Sequence, residues 1–235
     1  MAPWHPDRHL LFDVIGAAAG VIVFAPAMAL IAIAILIEDG GPVLFRQPRL
    51  GYRRVPFDIL KFRSMRDGRI TRVGRVLRAT GLDEIPQLFN ILRGEMSAVG
   101  PRPLTAADVD RLGWSGERFD FRWECAPGLT GLAQLLGMGA ADAALAWDRV
   151  HAERWSPWLD CQLIAWSFVV NAFGKARTRR WIHRYAQRFA AEQFALAVAG
   201  RVNDNTPIRV EPPPSDNEPD GPQASAGRSR IEEGS

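Results

Sequence analysis

A mostly helical α+β protein, attached to a membrane by a proline-broken, re-entrant N-terminal helix, is predicted by three observations. An apolar run at 10–37 carries Pro26 near its middle, a pair of β-forming segments flanks a Gly51-containing turn, and helix starts stand near positions 82 and 156.

The N-terminal run, Leu10 to Ile37, is apolar except for Asp13. A stretch of that length is membrane material. It is too long for a cleavable signal peptide and lacks a small-residue cleavage site before the folded part. Pro26 removes one backbone hydrogen bond and crowds the preceding turn, which favours a kink or a break. Two half-helices of roughly 11 to 15 residues would reach about 16 to 22 Å each, short of a crossing. A helix that dips in and returns keeps both basic flanks cytoplasmic: Arg8 before it, and Arg46, Arg49, Arg53 and Arg54 after it. This reading is preferred to its alternative, a kinked spanning helix.

After Asp39-Gly40-Gly41 the pattern changes to Pro42-Val43-Leu44-Phe45, and Val55 to Phe62 is again rich in β formers, which reads as a hairpin. Leu82 to Leu92 reads as a helix with Asp83 just before or in its first turn and Pro86 early enough to be tolerated. Ser156-Pro157 reads as an N-cap followed by proline at the first helical position, opening a helix to about Phe173. That helix is apolar nearly all round, so core burial competes with shallow membrane contact. From Lys175 to Arg188 arginines alternate with Trp181 and Tyr185, a pattern suited to the headgroup level. Beyond Arg201 the Pro212-Pro213-Pro214 run among acidic and small residues cannot bury a core and is expected to be disordered.

Charge is unevenly spread over the 235 residues: 4 Arg face 7 Asp and Glu after position 200, against 25 basic and 19 acidic residues before it. The segment 46–78 concentrates eleven Lys and Arg against Asp58 and Asp67 alone. Its neighbour is either solvent or something anionic: nucleic acid, lipid headgroups or a diphosphate. Cys125 and Cys161 form no CxxC pair, and the four His stand apart at 5, 9, 151 and 183, which argues against a zinc or disulfide framework. No GxSxG, Walker or HExxH pattern is present.

Asp83 and Glu84, adjacent acids at a helix start, are by themselves good capping residues. Their surroundings give them a further meaning. The apolar, proline-broken N-terminus leads to GPVLFRQPRLG at 41–51, FDILKFRSM at 57–65, TRVGRVLRATGLDEIPQLFNILRGEMSAVGPRPL at 71–104 and PGLTGLAQ at 127–134. From His9 to about Asp160 this order of motifs resembles the bacterial sugar transferase family, the small polyprenol-phosphate phosphoglycosyl transferases of exopolysaccharide and glycoconjugate assembly.

The resemblance implies a monotopic enzyme of the bacterial inner membrane with its catalytic domain on the cytoplasmic face. On it, 1–40 is the membrane hairpin, 41–200 a cytosolic catalytic domain with interfacial helices, and 201–235 a tail. It also implies a magnesium-dependent Asp-Glu dyad. Asp83 would attack the sugar-linked phosphorus of a nucleotide sugar, and polyprenyl phosphate would then take the phosphosugar from it. Asp83 and Glu84 are the implied metal residues, with Glu84 either coordinating magnesium or orienting the nucleophile. Lys61, in KFRSM, Arg78 and Arg102, within Pro101-Arg102-Pro103, are the implied phosphate contacts. Lys61 stands out also because only it and Lys175 are lysine among 29 basic residues, and a compact ammonium differs chemically from a guanidinium. The implied partners are nucleotide sugar, polyprenyl phosphate and membrane lipid, and not nucleic acid.

Three positions depart from the family pattern. Ala25-Pro26 stands where Ser-Pro is common, His9-Leu10 where a basic pair is usual, and Gly137-Met138 where a Gly-Arg pair often follows PGLTGLAQ. The last suggests a second reading, a membrane scaffold that has lost catalysis, against which Asp83, Glu84, Arg78 and Arg102 argue. A basic nucleic-acid-binding module is a third reading, and the apolar hairpin weighs against it.

Overall fold

The computed structural model describes residues 6–136, 141–154 and 156–173, with 178, 181 and 184 as single positions. Gly137-Met138, most of the 175–188 segment and the 201–235 tail lie outside the described residues. The fold is mostly helical with a few small strand pairs.

Helix α1, Pro6–Asp39, contains Pro26, and its helical assignment continues on both sides of the proline. Leu11–Asp39 is long and apolar enough to cross a membrane, with a mean hydropathy of 2.8 over an 18-residue window within it. Much of its surface is bare: Leu11, Ile15, Ile22, Val23, Leu30 and Ile37 are all more than half exposed. The rest packs on the body of the protein. Ala17 joins Phe57, Ile59, Ile91 and Met96 in one core, and Ile35 joins Phe62 and Leu77 in another.

The expected hairpin is present. Strand β1, Leu44–Leu50, pairs antiparallel with β2, Pro56–Phe62, in a register that sets Phe45 opposite Lys61. A 3-10 turn at Tyr52–Arg54 joins them, and Arg53 and Arg54 take the left-handed backbone conformation there. Side-chain alternation on β2 sends Phe57 and Ile59 to one core and Phe62 to the other. A second small hairpin, β3 (Met65–Arg66) with β4 (Arg69–Ile70), leads into α2, Arg72–Thr80.

The start of α2 is capped from two sides. The Thr71 hydroxyl accepts from the Gly74 amide at 2.9 Å, while the Glu38 carboxylate, on α1, accepts from the Arg72 and Val73 amides at 2.7 and 2.9 Å. Three of the helix's unpaired N–H groups thus find acceptors. The helix ends at Gly81, whose φ of 71° is the left-handed conformation that glycine adopts without penalty.

The helix expected over 82–92 is split. A 3-10 turn covers Leu82–Glu84, and α3 spans only Gln87–Leu92 after the buried Pro86. Gly81 leaves the chain turning as it enters the segment, and Pro86 lacks the N–H that would continue an α-helical ladder through it. Asp83 therefore sits in the 3-10 turn, not in the first turn of an α-helix.

Beyond α3, β5 (Ser97–Val99) pairs parallel with β6 (Gly128–Thr130). A Cβ on Gly128 would lie 2.0 Å from the Gly100 nitrogen, so the two backbones approach as only glycine permits. Between them lie α4, Ala106–Leu112, with a Thr105–Asp108 capping box, and the short α5, Asp120–Trp123. Then follow α6 (Leu132–Leu136), α7 (Ala141–Arg154) and α8 (Pro157–Phe173). Helix α8 begins where the sequence puts it, with the Ser156 hydroxyl accepting from the Leu159 amide at 3.1 Å. Its Leu159, Leu163 and Val170 are buried in a core with Val99, Leu132 and Trp147, while Trp158, Phe168 and Phe173 are more than half exposed. Burial thus claims one face of α8 and leaves the other bare.

Cys125 is buried, and burial, with Asp148 and Glu124 adding to it, pushes its thiol up to about 12. It is a core residue rather than a reactive one. Nearby, Arg122 and Asp148 form a buried ion pair at 2.9 Å between α5 and α7, both side chains less than a tenth exposed. Burial raises the Asp148 carboxyl and the Arg122 guanidinium opposes that rise. Removing one partner would leave the other charge buried alone. Asp148→Ala should therefore cost about 3–5 kcal/mol in unfolding experiments, against at most about 1 kcal/mol for Arg111→Ala in the Arg111–Asp108 pair, whose arginine is exposed.

Candidate active site

The motifs scattered between 41 and 134 converge on one open cleft. Arg49 comes from β1, Ile59 and Lys61 from β2, Glu84 from the 3-10 turn and Gln87 from α3. Arg102 and Pro103 enter from the loop after β5, Gly128 and Leu129 from β6, and Gln134 from α6. The same-side positions 59 and 61 of β2 face the cleft together, as the two-residue period of a strand requires.

Two loops are fastened to make this wall. The Gly128 amide donates to the Pro101 carbonyl and the Gly100 amide to the Thr130 carbonyl, both at 2.9 Å, which lays the Pro101-Arg102-Pro103 turn against the 127–131 segment. The Leu50 amide donates to the Leu104 carbonyl at 2.9 Å, which ties the same turn to the end of β1. From behind, the Arg122 guanidinium donates to the Arg102 carbonyl, so the buried pair with Asp148 also steadies the backbone carrying Arg102.

Of the residues that the sequence singles out, Lys61, Glu84 and Arg102 line the cleft. Lys61 Nζ donates to Glu84 Oε1 at 2.6 Å, an ion pair linking β2 to the 3-10 turn. Asp83 is next to Glu84 and partly buried. Burial, reinforced by the Glu84 charge, pushes its carboxyl above the ordinary range, while Lys61 and Arg78 pull the other way. Arg78 thus belongs to the electrostatic surroundings of Asp83, although it does not line the cleft itself. Pro26 lies within α1 and has no part in the cleft.

The eleven-cation segment 46–78 does not form one surface. Arg49 and Lys61 turn into the cleft, Arg63 and Arg66 pair with the buried Asp39 at 3.1 Å each, and Arg72 and Arg75 are exposed. Arg49, marked in the sequence only as a basic flank of the apolar run, and Gln87 and Gln134, not singled out there, also line the cleft. Each stands inside a quoted motif, so position in the motif was the available signal. Arg49 is held by Gln47 Oε1 at 2.6 Å and the Pro103 carbonyl at 3.1 Å, with Asp108 at 3.5 Å.

Residues 8–174 match the family described as bacterial sugar transferase, and they include every cleft residue named above. The chain belongs to that family. It is 42% identical over 178 residues to a UDP-glucose:undecaprenyl-phosphate glucose-1-phosphate transferase of Caulobacter vibrioides, covering 67% of each chain. It is 36% identical over 189 residues to an undecaprenyl-phosphate glucose phosphotransferase of Komagataeibacter xylinus, covering 70% of this chain and 36% of that one. It is 34% identical over 184 residues to the exopolysaccharide production protein ExoY of Rhizobium meliloti, covering 65% of this chain and 80% of the other. The matched part thus spans little more than a third of the Komagataeibacter relative and two thirds or more of the others. Within the family frame, the cleft joins the segments that the resemblance marked.

A carboxyl whose pKa is raised by folding stabilises the fold when protonated, and that contribution is lost as pH rises through its folded value. Above that folded value the ionised Asp83 is therefore a burden on the fold. Asp83→Asn, measured in buffer without magnesium or nucleotide at pH 7, should leave the melting temperature unchanged or raise it. A fall of several degrees would mark the carboxylate as a structural group instead.

Proposed function

We propose that this chain is a polyprenyl-phosphate phosphoglycosyl transferase that moves a sugar 1-phosphate from a UDP-sugar to undecaprenyl phosphate, the first membrane step of exopolysaccharide or glycoconjugate synthesis. The observation that carries this reading is the convergence of Lys61, Arg49 and Arg102 with Glu84 in one cleft beside Asp83. Phosphoryl transfer asks chiefly for positioning and for cancellation of negative charge, and three cations on one wall supply both. The relatives' names, which pair UDP-glucose with undecaprenyl phosphate, support the substrate class.

In the reaction so assigned, an Asp83 carboxylate oxygen attacks the phosphorus attached to the sugar. The bond from that phosphorus to the bridging oxygen breaks, and nucleoside monophosphate leaves with the electron pair. A phosphate oxygen of the lipid then attacks the same phosphorus and expels the Asp83 carboxylate, giving a polyprenyl diphosphate sugar in two ping-pong half-reactions. Lys61 and Arg102 neutralise the phosphoryl oxygens, and Arg78 balances the Asp83 charge. Among the described residues no three His, Cys, Asp or Glu side chains gather into a metal site. Two adjacent carboxylates still suit magnesium, which is commonly held by one or two carboxylates plus substrate phosphates. Asp83 and Glu84 would hold it, and it would supply further charge neutralisation to the diphosphate.

The re-entrant placement of α1 belongs to the same proposal, as does a cytoplasmic catalytic body on the inner membrane. Two contacts support it. Near one end of the helix Asp13 accepts from the Ala98 amide on β5 at 3.1 Å, and near the other Glu38 caps α2. Both partners lie in the same compact unit as the helix, which favours a placement with its two ends on the face of the membrane where that unit sits. In a background without native cysteines, His5→Cys and Arg46→Cys should both resist impermeant labelling from outside intact cells. Labelling at position 5 alone would establish a spanning helix.

The mechanism is tested by incubating protein with labelled UDP-glucose in the absence of lipid. Wild-type protein should release uridine monophosphate and acquire hydroxylamine-labile label on the peptide containing Asp83, and Asp83→Asn should acquire none. Unmodified protein combined with fast, sequential turnover in the presence of lipid would replace the covalent route by direct transfer.

A further inference from the structure

Gln87 is 2% exposed and lines the cleft, yet among the described residues its Nε2 has no hydrogen-bond partner. A buried amide donor without an acceptor is costly and rare, and its position on the wall of a cleft leaves it to a ligand or to the water that a ligand displaces. The same wall carries a second such donor, Arg49 Nε, whose guanidinium is fixed by bonds from its other nitrogens to Gln47 and Pro103. Lys61 and Arg102 add two cations; Glu84, the acidic residue of the lining, is already bonded to Lys61, and Asp108 stands 3.5 Å from Arg49.

A ligand that satisfies this wall must offer several acceptor oxygens and negative charge. A sugar ring or a nucleobase offers mainly neutral groups, whereas a diphosphate presents oxyanions alone. We infer that Gln87 is a donor-binding residue, its side-chain amide donating to a phosphoryl oxygen of the nucleoside diphosphate held between Arg49, Lys61 and Arg102. The inference rests on the proposed reaction only for the identity of that diphosphate. It gives the cleft a neutral donor where a further cation would add repulsion, since Arg49 and Arg102 already disfavour one another's charge. Gln87 also follows Pro86 directly, three residues after Glu84, so a bond to the diphosphate would fix the substrate relative to the turn that carries Asp83.

Calorimetric titration of the full chain in detergent with uridine diphosphate, which requires no turnover, provides the test. Gln87→Met keeps the length and apolar body of the side chain and removes the donor. It should weaken binding roughly tenfold, the usual scale for one hydrogen bond to a charged group. Gln87→Glu, which places a carboxylate beside the phosphates, should weaken it further. Because an unpaired buried donor is removed, the melting temperature of ligand-free Gln87→Met should hold or rise. Uridine diphosphate affinity within twofold of wild type, a melting temperature that falls in step with affinity, or a loss confined to UDP-glucose and absent with uridine diphosphate would each overturn the inference. Uridine monophosphate release from UDP-sugars by the wild-type protein separates the two readings. Gln87-dependent binding without such release would sink the transfer reading and keep this one, while release with Gln87-independent binding would do the reverse.

Discussion

The Asn90 side chain, fully buried, accepts a hydrogen bond from the Leu60 amide at 3.0 Å and donates to the Asp58 carbonyl at 2.7 Å. It also donates to Glu95 Oε2 at 2.7 Å. Strand β2 has β1 on one side only, and the carboxamide of Asn90 serves its other edge as a further strand would. The register between β2 and the 82–92 segment is thereby set, and with it the approach of Lys61 on β2 to Glu84 on the 3-10 turn. Were Asn90 apolar, the Leu60 N–H and the Asp58 carbonyl would lose this partner, and the strand would lose the link that aligns it with Asp83.

Around that clamp the protein holds together charges that would otherwise separate. Arg49 and Arg102 share a wall, and Asp108 offsets part of their repulsion while also capping α4. Asp108 is itself held down to about 2, by its bonds from Arg111 and Thr105 foremost, and so remains an anion at any physiological pH. The opposite holds at Asp83, where burial and Glu84 raise the carboxyl. One carboxylate is stabilised as a fixed counter-charge and the other is kept costly as an anion. Divergent environments of this kind fit a structural anion at Asp108 and the nucleophile proposed at Asp83.

Elements specified by neighbouring residues were legible in the sequence. Ser156-Pro157 carries its own capping chemistry, the hairpin around Gly51 carries its own turn, and each lies where it was expected. Elements specified across the chain were not. The parallel pair β5–β6 is three residues long on each side and exists because Gly100 and Gly128 permit backbone contact, which no alternation pattern announces. The split of 82–92 into a 3-10 turn and a short helix depends on Gly81 and Pro86 acting at the two ends of the turn, and helical periodicity alone reads through them. The site shows the same division. Asp83, Glu84, Lys61, Arg78 and Arg102 were legible as charges within motifs, whereas Gln87 and Gln134 carry no charge to mark them. The importance of Gln87 lies in a buried, unpartnered nitrogen, which only the folded arrangement creates.

The N-terminal helix also takes part in building the site. Asp13 bonds to Ala98 on β5, the strand that runs directly into the turn bearing Arg102, and Glu38 caps α2, the helix that carries Arg78 and ends at Gly81 just before Asp83. Between them, Ala17 and Ile35 are buried in the cores on either side of β2. Each end of the apolar helix is therefore fastened to a segment that positions a cation of the site. A displacement of α1 would be transmitted to Arg102 through β5 and to the Asp83 turn through α2, because both connections are hydrogen bonds to backbone amides rather than adaptable side-chain contacts. An enzyme whose acceptor is a lipid phosphate has to fix its reacting groups at a defined depth relative to the bilayer surface. Under the proposed function, fastening the two cation-bearing segments to the two ends of α1 meets that requirement with the same residues that build the core.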